Sequence, residues 1–72
     1  MDYILDSDSI AEKLVKLRKE KNISQTEVAE NLGITRAAVS QYEAGQRIPS
    51  DEIKIKLANY YSVTVQELFF TK

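Results

Sequence analysis

The sequence contains no cysteine and no histidine, and only two glycines and one proline. Without cysteine there is no disulfide, no thiolate metal site and no thiol nucleophile. Without histidine there is no imidazole for zinc or for acid–base catalysis, which leaves only carboxylate oxygens as ligands for a harder metal. Both glycines, Gly33 and Gly45, stand where helical patterns stop. Neither is left for a phosphate-cradling loop, and no nucleophile–base pair stands out. No apolar run approaches the ~18 residues of a membrane span, and the acidic N-terminus is unlike a signal peptide. The expectation is a cytoplasmic, non-enzymatic chain with no cofactor, no metal, no membrane contact and no evident small-molecule ligand.

What is present is a 72-residue chain with 43% apolar residues. That suits one domain, residues 1–72, whose core is marginal enough that every helix cap matters. The net charge of −1 argues mildly against a nucleic-acid partner, but distribution matters more than the total. Residues 1–12 hold Asp2, Asp6, Asp8 and Glu12 with no base. Residues 13–21 hold Lys13, Lys16, Arg18, Lys19 and Lys21 against Glu20 alone. An acidic end beside a basic helix is a polarised surface. Lys16, Lys19 and Lys21 fit either a phosphate-facing patch or a solvated face that complements a helix dipole.

The chain is organised around residues 25–44, QTEVAENLGITRAAVSQYEA. Ser24 with Glu27 reads as a capping box, and Ile23 with Val28 as a hydrophobic staple. This helix, 25–32, stops at Gly33. Thr35 caps a second helix, 36–44, stapled by Ile34 and Val39 and closed by Gly45. With only Gly33-Ile34-Thr35 between them, the two helices must turn sharply against each other. Val28, Leu32, Ile34, Val39 and Tyr42 point to a shared interior, and Ala29 is small where the helices approach. Arg36, Ala37, Ala38, Ser40 and Gln41 are left outward. A helix that presents its N-terminal side chains on a rigid partner suits the DNA major groove.

This segment resembles the helix-turn-helix of the Cro and lambda-type repressors, the XRE-like family of transcription regulators. The matching residues are Gln25, Ala29, Gly33, Val39 and Tyr42, at the first, fifth, ninth, fifteenth and eighteenth positions. Residues 43–49, EAGQRIP, resemble the family's E-x-G-x-x-x-P signature. The likeness covers roughly residues 9–70. It implies an all-α, five-helix, lambda-repressor-like domain. By the same resemblance Arg36, Ala37 and Gln41 would contact bases, and Gln25, Gln46 and Arg47 phosphates; Ser40 is a candidate for a base edge or a phosphate, and Thr26 and Thr35 are further candidates for phosphate. The chemistry is apt: Arg takes O6 and N7 of guanine, Gln takes N6 and N7 of adenine, and Ala meets a thymine methyl. Arg47 has no partner nearby in sequence, which favours an external contact. The resemblance also pairs Arg18 with Glu43, a structural ion pair that would tie the first helix to the end of the third.

Elsewhere, Ser9 with Glu12 reads as the capping box of a first helix, 9–21, whose stripe is Ile10, Leu14 and Leu17. Residues 1–8 fit a frayed arm, a short strand or an extra turn on the core. Ser50 caps a helix over 51–61, with Lys54 and Lys56 expected in solvent. Thr64, Glu67, Val63 and Leu68 box and staple a last helix, 65–70. Adjacent Phe69 and Phe70 point about 100° apart on a helix. With Tyr60 or Tyr61 they are expected to form an exposed patch, read as a homodimer seam; the rival is that Phe69 completes the core. The reading is sequence-specific binding of double-stranded DNA by a homodimeric repressor on a palindromic operator. The alternative is a protein-interaction module on the same fold, antitoxin-like or partner-docking, favoured by the low charge, the Ala37-Ala38 pair and the aromatic C-terminus.

Overall fold

A computed structural model describes residues 7–70, which form five α-helices and no strand. They are α1 (Ser7–Lys21), α2 (Gln25–Leu32), α3 (Arg36–Glu43), α4 (Asp51–Tyr61) and α5 (Val65–Phe69). Three of the four connectors share one chemistry: Asn22-Ile23-Ser24, Gly33-Ile34-Thr35 and Ser62-Val63-Thr64. In each the first residue is left-handed, with φ of 59°, 69° and 58°. Its own N–H and that of the next residue close the preceding helix, as in Gly33 N to Glu30 O (3.4 Å) and Ile34 N to Ala29 O (3.0 Å). The middle aliphatic residue packs on the core. The hydroxyl that follows caps the next helix, accepting from Glu27 N (3.1 Å), Ala38 N (3.0 Å) and Glu67 N (3.0 Å). At Thr64 the box closes both ways, since Glu67 Oε1 accepts from Thr64 N at 2.9 Å. These bonds hold the Glu67 carboxyl below its ordinary range. Short caps at both ends leave no slack between helices, so the turns are sharp.

The left-handed positions carry a testable cost. Ser62 has a Cβ where glycine would have none, so Ser62→Gly is expected to raise stability by about 0.5–1 kcal/mol. Gly33→Ala, at the same backbone conformation with open space around its Cβ, is expected to lower it by about 1 kcal/mol. Urea denaturation of the two variants checks both signs.

The core gathers Ile10 and Leu14 of α1, Val28, Ala29 and Leu32 of α2, Val39 and Tyr42 of α3, Leu57, Ala58 and Tyr61 of α4, and Leu68 and Phe69 of α5. Several expectations are corrected. Helix α1 includes Ser7 and Asp8, so Ser9 lies inside it and does not cap it. The extra turn is favoured by packing: a Cβ on Gly45 would stand 3.1 Å from Asp8 Oδ1 and 3.4 Å from Ser7 O, so the start of α1 rests on that glycine. Of the arm expected over 1–8, residues 1–6 lie outside the described residues. Helix α5 ends at Phe69, and Phe70 is extended (φ −117°, ψ 122°). Lys54, expected in solvent, is buried. Its Nζ lies 3.4 Å from Asp51 Oδ1 and 5.7 Å from the Phe70 ring centroid, which supplies the negative charge and π face that a buried ammonium needs. Lys56 Nζ reaches Leu32 O (3.4 Å) and Glu52 (3.7 Å).

The exposed aromatic patch is also corrected. Phe69 is 1% and Tyr61 5% exposed, so both rings belong to the domain's own core. Because α5 stops at Phe69, the two phenylalanines are not held at helical spacing, and Phe70 covers Lys54 instead. Tyr60 is half-buried: its ring meets Tyr61 edge-on at 5.1 Å and its hydroxyl accepts from Asn31 Nδ2 at 3.0 Å.

Candidate nucleic-acid interface

The turn Gly33-Ile34-Thr35 sets α3 across α2, with Val39 and Tyr42 facing inward. Ala38 is buried with them, at 9% exposure, which corrects its assignment to the outer face. The exposed side chains are Arg36, Ala37 and Gln41, with Ser40 half-buried beside them. Thr35 is exposed at the helix start; its Oγ1 accepts from Ala38 N, and its hydroxyl proton remains a donor for an anion. Thr26 is exposed at the start of α2, and Gln46 and Arg47 are exposed after α3. Two helix N-termini, with orphan N–H groups and the positive ends of their dipoles, thus carry polar donors around the outward side of α3.

Beneath this face lies a polar junction of three helices. Glu43, whose side chain is 5% exposed, accepts from Arg18 Nε on Oε2 at 2.8 Å and from Gln25 Nε2 on Oε1 at 3.1 Å. Arg18 also donates through Nη1 to Ile23 O at 2.9 Å. The bond to Glu43 raises the Arg18 pKa further above its ordinary value, against the opposing effect of burial. Burial, and next the Glu43 charge, push the Tyr61 phenol well above its ordinary range. The junction fixes α3 to both α1 and α2. The sequence pointed to Arg18 with Glu43, but the Gln25 amide bond to Glu43 was missed. That bond consumes one Gln25 N–H, leaves the second as a donor, and orients the side chain at the start of α2.

Arg47, for which the sequence offered no nearby partner, has two. Its guanidinium lies 5.6 Å from the Tyr42 ring centroid, and its Nη1 lies 3.4 Å from Gln41 Oε1. The signal was the turn itself. Gly45 is left-handed (φ 73°), and Gln46 N returns to Gln41 O at 3.0 Å, so the chain folds back along the helix it has just left. The basic residues of α1 are arranged differently. Lys13 donates to Glu67 O at 3.0 Å, and Lys13 and Lys16 line a shallow groove between α1 and α5 with Glu20 and Glu67. Acids balance lysines there. Among the described residues no helix is long and apolar enough to cross a membrane, and no group of three His, Cys, Asp or Glu side chains could hold a metal ion.

Residues 14–68 match the helix-turn-helix family HTH_3 over a span that includes α2, the turn, α3 and the Glu43 junction. The chain belongs to this family. Its members here are transcription regulators with XRE-like DNA-binding domains, and the HTH_3 fold explains why the conspicuous side chains surround a helix face and not a cavity. The HTH-type transcriptional activator BcrR of Enterococcus faecalis is 40% identical over 57 residues, 79% of this chain and 28% of BcrR. The cryptic phage CTXphi transcriptional repressor RstR of Vibrio cholerae is 32% identical over 59 residues, 82% of this chain and 53% of RstR. The chain thus spans between about a quarter and about a half of these curated relatives. Among solved structures, the restriction-modification controller protein C.AhdI of Aeromonas hydrophila matches with a TM-score of 0.80 and 34% identity. That match covers 89% of this chain and 93% of C.AhdI. The all-α, five-helix, lambda-repressor-like architecture expected from the sequence is the one observed.

Proposed function

We propose that this HTH_3 domain binds a palindromic operator in duplex DNA as a symmetric homodimer, in the cytoplasm, and represses transcription by occluding polymerase. The observation that carries the reading is the outward face of α3, where Arg36, Ala37 and Gln41 are exposed on a helix anchored from below by Glu43. Arg36, Ala37, Ser40 and Gln41 read base edges; Gln25, Thr26, Thr35, Gln46 and Arg47 take phosphates. Two such helices enter successive major grooves about 34 Å apart. Tyr60 and Phe70, both half-buried, and Ile55, 54% exposed on α4, are the side chains left for the seam between copies. The protein-docking alternative loses two of its supports, because Ala38, Tyr61 and Phe69 are absorbed by the core.

The test is selection of bound duplexes from a random pool at two salt concentrations. The expected result is a palindromic motif with half-sites one helical turn apart. Arg36→Ala is expected to cost about 1–3 kcal/mol of binding and to relax preference at particular base pairs. Gln25→Ala is expected to weaken all sequences alike, because phosphate contacts position without reading. A pool with no enriched sequence even at low salt overturns the reading.

A further inference from the structure

The geometry around Gln41 points to a second role for Arg47: we propose that Arg47 fixes the hydrogen-bonding polarity of Gln41, so that the pair reads guanine and not adenine. The inference rests on the DNA-binding reading and deepens it. A glutamine carboxamide is ambivalent, with an oxygen that accepts and a nitrogen that donates. Bidentate recognition of adenine uses both ends, the oxygen taking the N6 amino group and the nitrogen giving to N7. That mode requires both ends of the amide to face the groove.

In this structure the oxygen is already engaged by a neighbouring cation. Arg47 Nη1 lies 3.4 Å from Gln41 Oε1. A guanidinium carries donors only, so whichever amide atom faces it must be the oxygen. The guanidinium is itself held from two sides. It lies 5.6 Å from the ring centroid of Tyr42, a side chain only 4% exposed and fixed in the core. The backbone before it is pinned by Gln46 N to Gln41 O, through the left-handed turn at Gly45. With its oxygen held by Arg47, Gln41 is left with Nε2 to offer a base, alongside the remaining N–H groups of the guanidinium. That set is all donor. It complements the two acceptors of guanine, O6 and N7, and opposes the amino group of adenine or cytosine. Removing the Arg47 donors frees the amide to turn, and adenine becomes readable.

The experiment compares selected motifs from four proteins: wild type, Gln41→Ala, Arg47→Met and Arg47→Lys. Gln41→Ala marks the base pair that Gln41 reads, as the position whose preference disappears. Wild type is expected to select G·C there. Arg47→Met keeps an unbranched apolar stem against Tyr42 but has no donor, and is expected to shift the G·C over A·T ratio at that position by about tenfold toward A·T. Arg47→Lys retains a donor and is expected to retain G·C. Circular dichroism checks that all four fold, and a folded Arg47→Lys that loses the G·C preference also overturns the inference, whether or not the methionine variant folds. Wild-type selection of A·T at the marked position overturns the inference. So does an Arg47→Met motif with unchanged preference and uniformly weaker binding, which is the signature of a phosphate contact alone. A Gln41→Ala motif identical to wild type overturns it as well, since Gln41 would then read nothing. In each of these results the DNA-binding reading stands; only a wild-type pool without any motif removes both.

Discussion

Glu43→Ala is expected to lose about 3–5 kcal/mol of unfolding free energy, read as a shift of the urea midpoint by circular dichroism. The side chain is 5% exposed and is the common acceptor for Arg18 and Gln25. Deleting it leaves the Arg18 guanidinium, itself 16% exposed, with the Ile23 carbonyl at 2.9 Å and no counter-charge. Most of the cost is that stranded charge rather than the net worth of the pair, which desolvation largely offsets. Replacing both partners, Arg18→Met with Glu43→Leu, is therefore expected to recover a large part of the loss. Domains of this class hold roughly 0.05–0.15 kcal/mol per residue, so a 72-residue chain loses a large share of its stability through one carboxylate. An alanine variant within 1 kcal/mol of wild type would mean that water reaches Arg18 freely and that the junction does not bind α3 to α1 and α2.

The parts of this molecule that were legible in the sequence are those fixed by local chemistry. Ser24, Thr35, Ser50 and Thr64 each accept from the N–H three residues on, because a hydroxyl or short polar side chain before an amphipathic run has that geometry open to it. The apolar stripe of α1 and the inward faces of α2 and α3 followed from helical spacing, and the family resemblance followed from residues 25–49. What was not legible depends on which segment folds over which. Lys54 is polar by type, and no local pattern announces that it is buried or that Phe70 returns to stand 5.7 Å from its ammonium. Gln25 and Glu43 stand 18 residues apart, and no pattern in either helix announces their bond. The left-handed positions Asn22 and Ser62 were hidden for a different reason: a side-chain-bearing residue fills a role that composition assigns to glycine.

The candidate interface divides along the same line. Exposure of Arg36, Ala37 and Gln41 follows from the period of α3, whereas the orientation of Gln41 and Arg47 follows from the fold-back at Gly45. Sequence periodicity thus identifies the exposed face of α3 that is proposed to read DNA, while its donor and acceptor pattern requires the tertiary contacts. Ala38 shows the limit of counting outward positions on a short helix: α3 is 8 residues long and is packed on more than one side, so the face left to solvent is narrower than the polar residues suggest.

Phe69→Ala is expected to be the other severely destabilising change, at about 3–5 kcal/mol. The ring is 1% exposed and among the largest fully buried side chains, on a helix of 5 residues that has little else to dock it beyond Leu68. Each kcal/mol lowers the melting midpoint of a domain this size by about 4–8 °C, so the drop is expected to exceed about 12 °C. Phe70→Ala removes a half-buried ring and uncovers Lys54, whose ammonium can then reach water, so its expected cost is below about 1.5 kcal/mol. The contrast separates the monomer core from the proposed seam. A core residue lowers stability by the same amount at every protein concentration, whereas a seam residue changes the dependence of the midpoint on concentration. Phe69→Ala is thus expected to shift the melting curve uniformly, with any concentration effect confined to Phe70 or Tyr60 variants. If the Phe69→Ala deficit grew as protein concentration rose, Phe69 would have to leave the core to make the seam. The homodimer would then form by partial opening of α5, and not by docking of two finished domains.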